Sequence, residues 1–430
     1  MSNSIELGDV SYVTKLAGFE HTKYIQPNAT KTKVNADDVP MYIGLNVKDG
    51  KLTESIHWYL PRHLSETLHR SALTKKCLVL PYVGSVGDLA VYNDKHRHHL
   101  ASNVAKIELL ESAPFSEEYL YYYLKSPYGQ RQLLFYIQGG IQKNITMAAI
   151  RKTKVEVQKN SQGIVRVLSA LDDKIELNRK INAELEQMAR TLYDYWFVQF
   201  DFPGSDGKPY KSSGGQMVYS DQLKREIPEN WQVQDMHKND LFEIIKPKIN
   251  KFSGTKQYIA TADVNGLAMT DGTPITYEGR ESRANMQPRE YTIWFAKMKE
   301  SIKHIFVGDY SEDLLRDAIF STGFMGVQTS REAFEYLTLT IHRPCFELVK
   351  DANSNGATMA AIGNNDMKNI KLIVPSDDVL RKFHQTVRPI LAKIDRNRQQ
   401  SQKLAHLRDW LLPMLMNGQV SVQGNEVGET

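Results

Sequence analysis

The sequence predicts an α+β protein with a pseudo-twofold internal repeat, in which each of two related β-rich domains precedes one long helix. The segment 164–196 contains no Pro or Gly, and its apolar or small residues recur at alternating spacings of four and three. A repeat of about 3.5 residues is typical of a coiled-coil helix. The same pattern returns 219 positions further along, where Asn178 matches Asn397 and Asn182 matches Ser401.

Length and composition agree with a multidomain protein. With 430 residues, 41% of them apolar and 24% charged, the chain is long enough for two or more packed domains. The net charge of +4 permits a nucleic-acid partner without requiring one. Two cysteines are too few for a disulfide framework or a zinc site and suit a reducing cytosol, so we expect a cytoplasmic protein. We expect no membrane span, because no run approaches about 18 apolar residues and the N-terminus lacks a signal pattern.

The first predicted domain covers residues 1–160 and is mixed, with mostly β structure. Turn signals separate four β-rich runs, at 41–45, 76–83, 88–92 and 104–109. A helix is predicted at 116–125, because Ser116 can cap it and the acidic Glu117 and Glu118 suit the positive end of the helix dipole.

The remaining chain divides into five predicted segments. They are a central spacer helix at 161–200, a Gly/Pro/Ser-rich linker at 201–225, a second β-rich domain at 226–375, a C-terminal spacer helix at 376–418 and a flexible tail at 419–430. The runs that predict strands in the second domain are 258–262, 291–296, 302–307 and 370–374.

Proline marks a difference between the two long helices. Ser376, followed by Asp377 and Asp378, is a helix start. Pro389 then interrupts the second helix and predicts a kink or a break there, because proline removes a backbone hydrogen bond. Pro413 is expected to stop the helix near its end.

Shorter matches support a duplication. The five residues Thr146–Ile150 recur word for word as Thr358–Ile362, and Tyr42, Ile43 and Val47 are echoed by Tyr258, Ile259 and Val264. Because these matches follow the same order as the matched helices, we interpret the chain as one architecture used twice, with two different surfaces.

These features resemble the specificity (S) subunit of type I restriction-modification enzymes. The resemblance rests on the two Thr-Met-Ala-Ala-Ile boxes, the helix 171–197, the linker 200–220 and the segment Ile227–Trp231, and it extends over essentially the whole chain. It implies two target-recognition domains that each read one half of a split site in double-stranded DNA. It also implies that the two helices pack as an antiparallel coiled coil, which spaces these domains and docks two methyltransferase (M) subunits, with restriction/translocase (R) subunits joining that core.

No catalytic motif is visible in the chain. It contains no Asn/Asp-Pro-Pro-Tyr/Phe motif and no Gly-rich loop suited to S-adenosylmethionine, and Gly204–Lys208 lacks the spacing of a phosphate loop. We therefore expect a non-catalytic subunit without a cofactor of its own, and S-adenosylmethionine is expected in the partner methyltransferase. Two other classes remain open, namely a coiled-coil scaffold or adaptor whose β-rich domains bind protein, and an enzyme with an unrecognised motif.

Candidate DNA contacts are basic or amide side chains in loop-like segments. Lys and Arg meet phosphates, Arg reads guanine, and Asn or Gln reads adenine. In the first domain the candidates are Lys75, Lys76, Ser85, Lys95, His96, Arg97, His98, Lys143 and Asn144. In the second domain they are Lys246, Lys248, Lys251, Arg280, Arg283, Asn285, Gln287, Arg289, Lys297, Lys299 and Lys303. The loop-like stretch 278–289 is the best candidate for base reading.

Several candidates have more than one interpretation. The run from Lys95 to His99 fits a solvated loop, a DNA-facing loop or, less well, a metal site. The segment Gly84–Gly87 fits a tight hairpin turn or a loop whose backbone approaches a phosphate. The aromatic residues from Tyr193 to Phe197 fit a core or a docking surface for a partner.

The seam of the two helices contains matched polar residues. Polar seam positions cost stability but set register and orientation, although they also fit wet positions in a loose bundle. The predicted seam comprises Leu168, Leu171, Ile175, Asn178, Asn182, Leu185, Leu192, Val387, Ile390, Ile394, Asn397, Ser401, Leu404 and Leu411.

Overall fold

The structure, a computed structural model, describes residues 3–48, 50–53, 58–135, 137, 144–356 and 359–422. The chain forms two compact units. The first unit comprises Met1–Lys174 together with Lys403–Thr430, and the second comprises Ile175–Gln402. Each unit therefore contains a β-rich portion and a part of both long helices.

The strands of the first unit lie in its N-terminal portion. They are β1 (Asn3–Glu6), β2 (Ser11–Lys15), β3 (Val39–Tyr42), β4 (Val47–Lys48), β5 (Lys51–Leu52), β6 (Trp58–Leu60), β7 (Ala72–Leu73), β8 (Cys77–Pro81), β9 (Ala90–Tyr92), β10 (His98–Leu100), β11 (Val104–Leu109) and β12 (Lys154–Val157). These strands overlap all four β-rich runs expected in the first domain.

The strands of the second unit follow the central helix. They are β13 (Met217–Ser220), β14 (Arg225–Pro228), β15 (Gln232–Asp235), β16 (Phe242–Ile245), β17 (Lys256–Ile259), β18 (Val264–Asn265), β19 (Ala268–Met269), β20 (Thr273–Ile275), β21 (Ala284–Met286), β22 (Thr292–Ala296), β23 (His304–Val307), β24 (Ala318–Ser321), β25 (Phe324–Thr329) and β26 (Lys371–Val374). The four expected runs of the second domain overlap β17, β22, β23 and β26.

Two long helices stand out among shorter ones. The helices are α1 (Leu7–Val10), α2 (Gly18–Glu20), α3 (Arg62–Thr67), α4 (Glu117–Lys125), α5 (Pro127–Leu134), α6 (Met147–Arg151), α7 (Ser161–Tyr193), α8 (Glu312–Asp317), α9 (Phe334–Ile341), α10 (Pro344–Ala352) and α11 (Asp377–Met416). Ser116 caps α4 as expected, because its Oγ accepts a hydrogen bond of 3.3 Å from the backbone N–H of Tyr119. Among the described residues, no helix is both long enough and apolar enough to cross a bilayer.

The sheets of the two units have the same topology. In the first unit the strand orders are β1-β12, β2-β11-β8-β9, β6-β3-β10-β7 and β4-β5. Adding fourteen to every strand number gives sheets of the second unit: β15-β26, β16-β25-β22-β23, β20-β17-β24-β21 and β18-β19. The parallel pair β3–β10 also has its counterpart in the parallel pair β17–β24. The predicted α+β class and internal repeat are therefore confirmed.

Hydrogen bonds align the two repeats residue by residue. In the first unit the backbone N–H of Ile145 donates to the carbonyl of Tyr82, and in the second that of Ile362 donates to the carbonyl of Lys297. Ile145, and not Ile150, is thus the counterpart of Ile362. The word-for-word match between the two boxes is therefore not a structural equivalence, because backbone pairing sets the alignment five residues away. Thr358 of the second box lies outside the described residues.

Helix α11 continues through both of its prolines. It runs without interruption from Asp377 to Met416, so the expected stop at Pro413 was wrong and there is no break at Pro389; the alternative of a kink at Pro389 stays a prediction. Pro389 cannot donate to the carbonyl of Gln385, but both residues are exposed, so water can satisfy that carbonyl. Helix α7 ends at Tyr193 and passes into a π-helical turn over Asp194–Val198.

In both units the two long helices pair in antiparallel fashion. In the second unit Asn178 donates to Ser401 at 3.1 Å, and Asn397 donates to Asn182 at 2.8 Å. In the first unit Asp172 accepts from Arg408 at 2.6 Å, and Asn160, just before α7, donates to the carbonyl of Val422, just after α11, at 2.7 Å. Higher numbers on α7 therefore lie opposite lower numbers on α11 in each unit.

The predicted seam positions are all buried or half-buried. Asn178 and Asn397 are matched by the repeat, and they also contact each other, with the Asn178 amide donating to the Asn397 carbonyl at 3.4 Å. Both are at least 98% buried. Because both are buried and hydrogen-bonded, the register interpretation is favoured over wet positions in a loose bundle.

Each unit's core includes the start of one long helix and the end of the other. In the first unit Ile164 and Leu168 of α7 share a core with Leu412 and Leu415 of α11. In the second unit a core contains Tyr193 at the end of α7 and Trp196 and Phe197 in the π-helical turn after it, with Phe383 and Val387 near the start of α11. The first of the two interpretations of that aromatic cluster, a core, is therefore correct for these three residues.

We predict that Asn178→Ala destabilises the protein by about 1–3 kcal/mol, because it removes three hydrogen bonds to the opposite helix, one of them to the buried Asn397. Urea denaturation checks this. Lys180→Ala is the matched control, because Lys180 is exposed on the same helix and its loss should change stability by no more than about 0.5 kcal/mol. Equal midpoints for the two variants would contradict a register role for Asn178.

Candidate nucleic-acid interface

Sheet pairing brings two predicted lysines to one edge of the second unit. Lys246 directly follows β16 and Lys297 directly follows β22. Both strands pair antiparallel with β25, which lies between them. The strands β16 and β22 therefore run in the same direction, and their C-terminal ends meet at the same edge of the sheet.

A cavity of about 240 Å³ opens between these two lysines. Its polar lining residues are Lys246, Lys297, Thr322 and Asn364, and the rest of the lining is apolar. The lining contains no Asp or Glu, and neither lysine has an ion pair within the described part of the chain. Burial, followed by the positive charge of Lys246, lowers the pKa of Lys297.

The first unit has a different arrangement at the equivalent place. Lys15 is the last residue of β2 and Tyr82 directly follows β8. The Lys15 Nζ lies 4.1 Å from the centroid of the Tyr82 ring, a cation–π contact. The backbone N–H of Tyr82 donates to Asn103, as that of Lys297 donates to Gly323. The backbone frame is thus the same in both units, while the side chains differ.

A buried lysine, Lys350, stabilises the β22–β23 hairpin that carries Lys297 by contacting its backbone carbonyls. The Lys350 Nζ lies within hydrogen-bonding distance of the carbonyls of Ala296 (3.4 Å), Met298 (3.3 Å) and Ser301 (3.1 Å). Its charge is balanced by Glu347 at 2.6 Å. In the first unit an uncharged residue, Gln130, makes the comparable contact, because its amide donates to the carbonyl of Gly87 at 3.0 Å.

The His-rich run of the first unit turns largely inward. His98 stacks on Tyr42 with ring centroids 4.8 Å apart, and His99 hydrogen-bonds Ser65 and Ser71. Burial lowers the pKa of His98. The predicted DNA contact of His98 is therefore contradicted by this conformation, because its ring is buried.

Other residues of the run have separate roles. Arg97 donates to the Oγ and the carbonyl of Ser65 at 2.9 and 2.8 Å, which ties it to α3. Lys95 and His96 are exposed, which fits a solvated loop as well as a DNA-facing one, so their contact with DNA stays a prediction. Among the described residues, no group of three or more His, Cys, Asp or Glu is placed to hold a metal ion.

The remaining candidates of the first unit lie at several places. Lys76 pairs with Glu118 at 2.5 Å and Glu117 at 3.5 Å. Burial alone would lower the pKa of Lys76, but these two pairs outweigh it and the pKa is raised. Lys75 extends into solvent with its Nζ 3.9 Å from Glu108.

The segment Gly84–Gly87 lies in the connection between β8 and β9, which pair as a hairpin. Gly84 and Gly87 both have positive φ, of 87° and 107°, as expected of a turn, and the approach of this backbone to a phosphate stays a prediction. Ser85 at its tip is exposed. Asn144 is exposed and forms a backbone bridge with Val83. Lys143 lies outside the described residues.

The stretch 278–289 is not wholly a loop, contrary to our expectation. Ala284–Met286 forms β21, an edge strand that pairs with β24 through an irregular register. Arg283 and Arg289, on either side of it, are exposed, whereas Asn285 and Gln287 are half-buried. The sequence did not predict the short polar strand β21, because its partner β24 lies more than thirty residues further along the chain.

The other basic candidates of the second unit differ in exposure. Arg280 packs on the ring of Tyr277 and donates to its carbonyl. Lys303 donates through its Nζ to the carbonyl of Thr261. The lysine candidates of this unit that are exposed in the structure are Lys246, Lys248, Lys251 and Lys299. Their contacts with DNA stay predictions.

Sequence reasoning missed Lys15, Thr322 and Lys350. An alignment of the repeats would have revealed Lys15 as the counterpart of Lys246, because both stand at the end of equivalent strands. No sequence signal indicates that Lys350 is buried beneath a hairpin, since it lies in an ordinary helical segment.

Comparison with known proteins finds relatives of one kind, the specificity subunits of type I restriction enzymes. The family model described as "Type I restriction modification DNA specificity domain" matches residues 28–187. The MjaIX specificity subunit of a type I restriction enzyme from Methanocaldococcus jannaschii is 26% identical over 320 residues, which cover 71% of this chain and 69% of that protein. The HindI specificity subunit from Haemophilus influenzae is 21% identical over 339 residues, which cover 66% and 72%.

A solved structure has a similar fold. The S subunit of a type I restriction-modification system from M. genitalium aligns with a TM-score of 0.53 and 14% identity, covering 96% of this chain and 95% of that one. At this identity, the match is a match of fold.

The buried ring of His99 predicts an effect of pH on stability. Burial, followed by the charges of Arg97 and Lys106, lowers the pKa of His99 from 6.5 to about 3. The unfolded chain binds a proton below pH ~6.5 where the folded protein does not. The contribution of this ring is therefore full above pH ~6.5 and is lost as the pH falls towards 3, by up to about 1.4 kcal/mol per unit.

We expect urea denaturation at pH 7.5, 6 and 5 to show this loss of stability, and His99→Gln to reduce the slope. His69→Gln serves as the control, because His69 is exposed. An unchanged slope in His99→Gln would contradict the assignment of a neutral buried ring.

Proposed function

This chain belongs to the family of type I restriction-modification specificity subunits, and we propose that its two β-rich portions each read one half of a bipartite, asymmetric site in double-stranded DNA. The observation that carries the proposal is the repetition of one sheet topology, strand for strand, with different side chains at equivalent positions. A duplicated frame with unequal surfaces suits two half-sites of different sequence.

The long helices are proposed to set the gap between the half-sites. A helix of 33 residues such as α7 is about 50 Å long, which is comparable to between one and one and a half turns of DNA at ~34–36 Å per turn. Asn178 and Asn397 support a fixed register, because each is buried and paired with the opposite helix.

Methyltransferase subunits are proposed to dock on the outer faces of these helices. Met188 and Leu407 are 55% and 42% exposed, and they occupy matched positions on α7 and α11. Two exposed apolar side chains at equivalent positions suit two copies of one partner. Restriction/translocase subunits would join this core, and S-adenosylmethionine would be bound by the methyltransferase, so that this chain supplies recognition and no catalytic group.

The alternative of a protein-binding scaffold predicts a different surface. DNA backbones are recognised by unpaired cations, and Lys246 and Lys297 flank a cavity whose lining contains no acid. Arg283 and Arg289 are exposed beside a sheet edge. These features favour DNA over a protein partner.

We predict that sequencing of methylated bases in cells that carry this chain and its methyltransferase reveals one asymmetric motif in two parts with a fixed gap. One additional heptad after Arg179 and one after Arg398 would face each other in the helix pair and keep the seam in phase. This lengthens each helix by about 10 Å, so the gap should grow by about three base pairs while both half-sites stay the same.

Seven residues inserted after Gly207, in the linker, serve as the control and should leave the gap unchanged. A contiguous motif, or an unaltered gap after the two heptad insertions, would refute the spacer role. A changed half-site would refute separable readers.

We also predict that duplex DNA binding by the full chain weakens steeply with salt. Each neutralised phosphate contributes about −0.9 to the slope of log affinity against log salt concentration. Fluorescence anisotropy between 50 and 300 mM salt measures this slope. No binding to DNA, even with the methyltransferase partner present, would favour the scaffold instead.

A further inference from the structure

We propose that Lys246 and Lys297 form a binding site for a phosphate oxyanion, occupied in function by one backbone phosphate of the DNA. The proposal rests on the function proposed above and adds a named phosphate contact to the second unit. The site is the cavity of about 240 Å³ at the C-terminal ends of β16 and β22.

The donors around this cavity suit an oxyanion. Each lysine ammonium supplies three donors, and the Thr322 hydroxyl and the Asn364 amide can supply more. Lysine binds phosphate as a point charge. A cavity of this volume could hold several waters at about 30 Å³ each, so there is room for a tetrahedral anion.

The electrostatics also favour an anion. The exposed Lys246 and the half-buried Lys297 line one cavity without a carboxylate among the lining residues, and the pKa of Lys297 is lowered by burial and by Lys246. Like charges held together without a counterion cost stability, and such an arrangement is more frequent at functional sites than elsewhere. A bound phosphate offsets this repulsion and favours the charged form of Lys297.

The main chain at Lys297 is held in place before any ligand binds. Its N–H donates to the Gly323 carbonyl at 3.1 Å, and its carbonyl accepts from Ile362 at 2.9 Å. The residues that follow Lys297 in the hairpin are held by the fully buried Lys350, which donates to the carbonyls of Met298 and Ser301. Lys350 is therefore a positioning residue, which lowers the ordering cost of binding at Lys297.

The first unit indicates that this sheet topology does not require two charged side chains at the C-terminal ends of the two equivalent strands. There the equivalent pair is Lys15 and Tyr82, and the ring of Tyr82 already engages the one cation. Structure at this sheet edge is therefore maintained with a single lysine. The second lysine in the second unit needs a separate explanation, and an anionic ligand provides it.

The test compares full-length variants on a duplex that contains the methylated motif. We expect Lys246→Gln with Lys297→Gln to reduce the steepness of the salt slope by about 0.9, as expected for one lost phosphate contact. The affinity ratio between this duplex and one with altered half-sites should stay the same, because phosphate contacts carry no sequence information. Lys246→Arg with Lys297→Arg should retain the slope.

Lys393→Gln is the matched control, because it removes an exposed charge from α11. Calorimetric titration with inorganic phosphate forms a second arm and distinguishes a free anion from the DNA backbone. A double Gln variant with the slope of Lys393→Gln would overturn the DNA contact, even if it had lost binding of inorganic phosphate.

The two arms also separate this proposal from the general one. If the unaltered chain binds no DNA, the proposed function fails, and the phosphate titration alone decides the site. Phosphate binding that disappears in the double Gln variant would then support the oxyanion site, and absence of phosphate binding by the unaltered chain would overturn it.

Discussion

The antiparallel pairing of α7 with α11 is the constraint on which the rest of the structure depends. Both units need both helices, because the first core contains Ile164 with Leu412 and the second contains Trp196 with Phe383. Neither core is complete without residues distant in sequence. The buried amides of the pair matter for the same reason, since a slip in register would remove apolar residues from both cores.

Duplication has preserved backbone pairing more strictly than side-chain chemistry. In the first unit Asp172 accepts hydrogen bonds from both Arg408 and Tyr122. The residues of the second unit that match Asp172, Arg408 and Tyr122 in the repeat are the apolar Leu391, Ala189 and Leu339, in that order. They line a cavity of about 110 Å³. Backbone hydrogen bonds tolerate such exchanges because every residue except proline supplies the same donor and acceptor.

Much of the fold was predictable, but the site was predictable only in part. All eight expected strand segments overlap observed strands, because apolar runs between turn signals are local features. His98 was misread because a basic residue on a short strand can face inward, where its ring stacks on Tyr42. The repeated pentapeptide gave the wrong alignment of the two repeats, because identical sequences at two places need not form the same backbone hydrogen bonds. The break expected at Pro389 is absent because the carbonyl of Gln385, which loses its helical donor, belongs to an exposed residue and can bond water.

The sequence by itself determined the α+β class, the helix seam and the matched amides, because spacing along one helix decides which residues share a face. Only the tertiary structure decided which cations share a site. Lys246 and Lys297 are far apart in the chain, and they meet because β25 pairs with both strands that precede them. Strand pairing is non-local, so no spacing rule in the sequence encodes it.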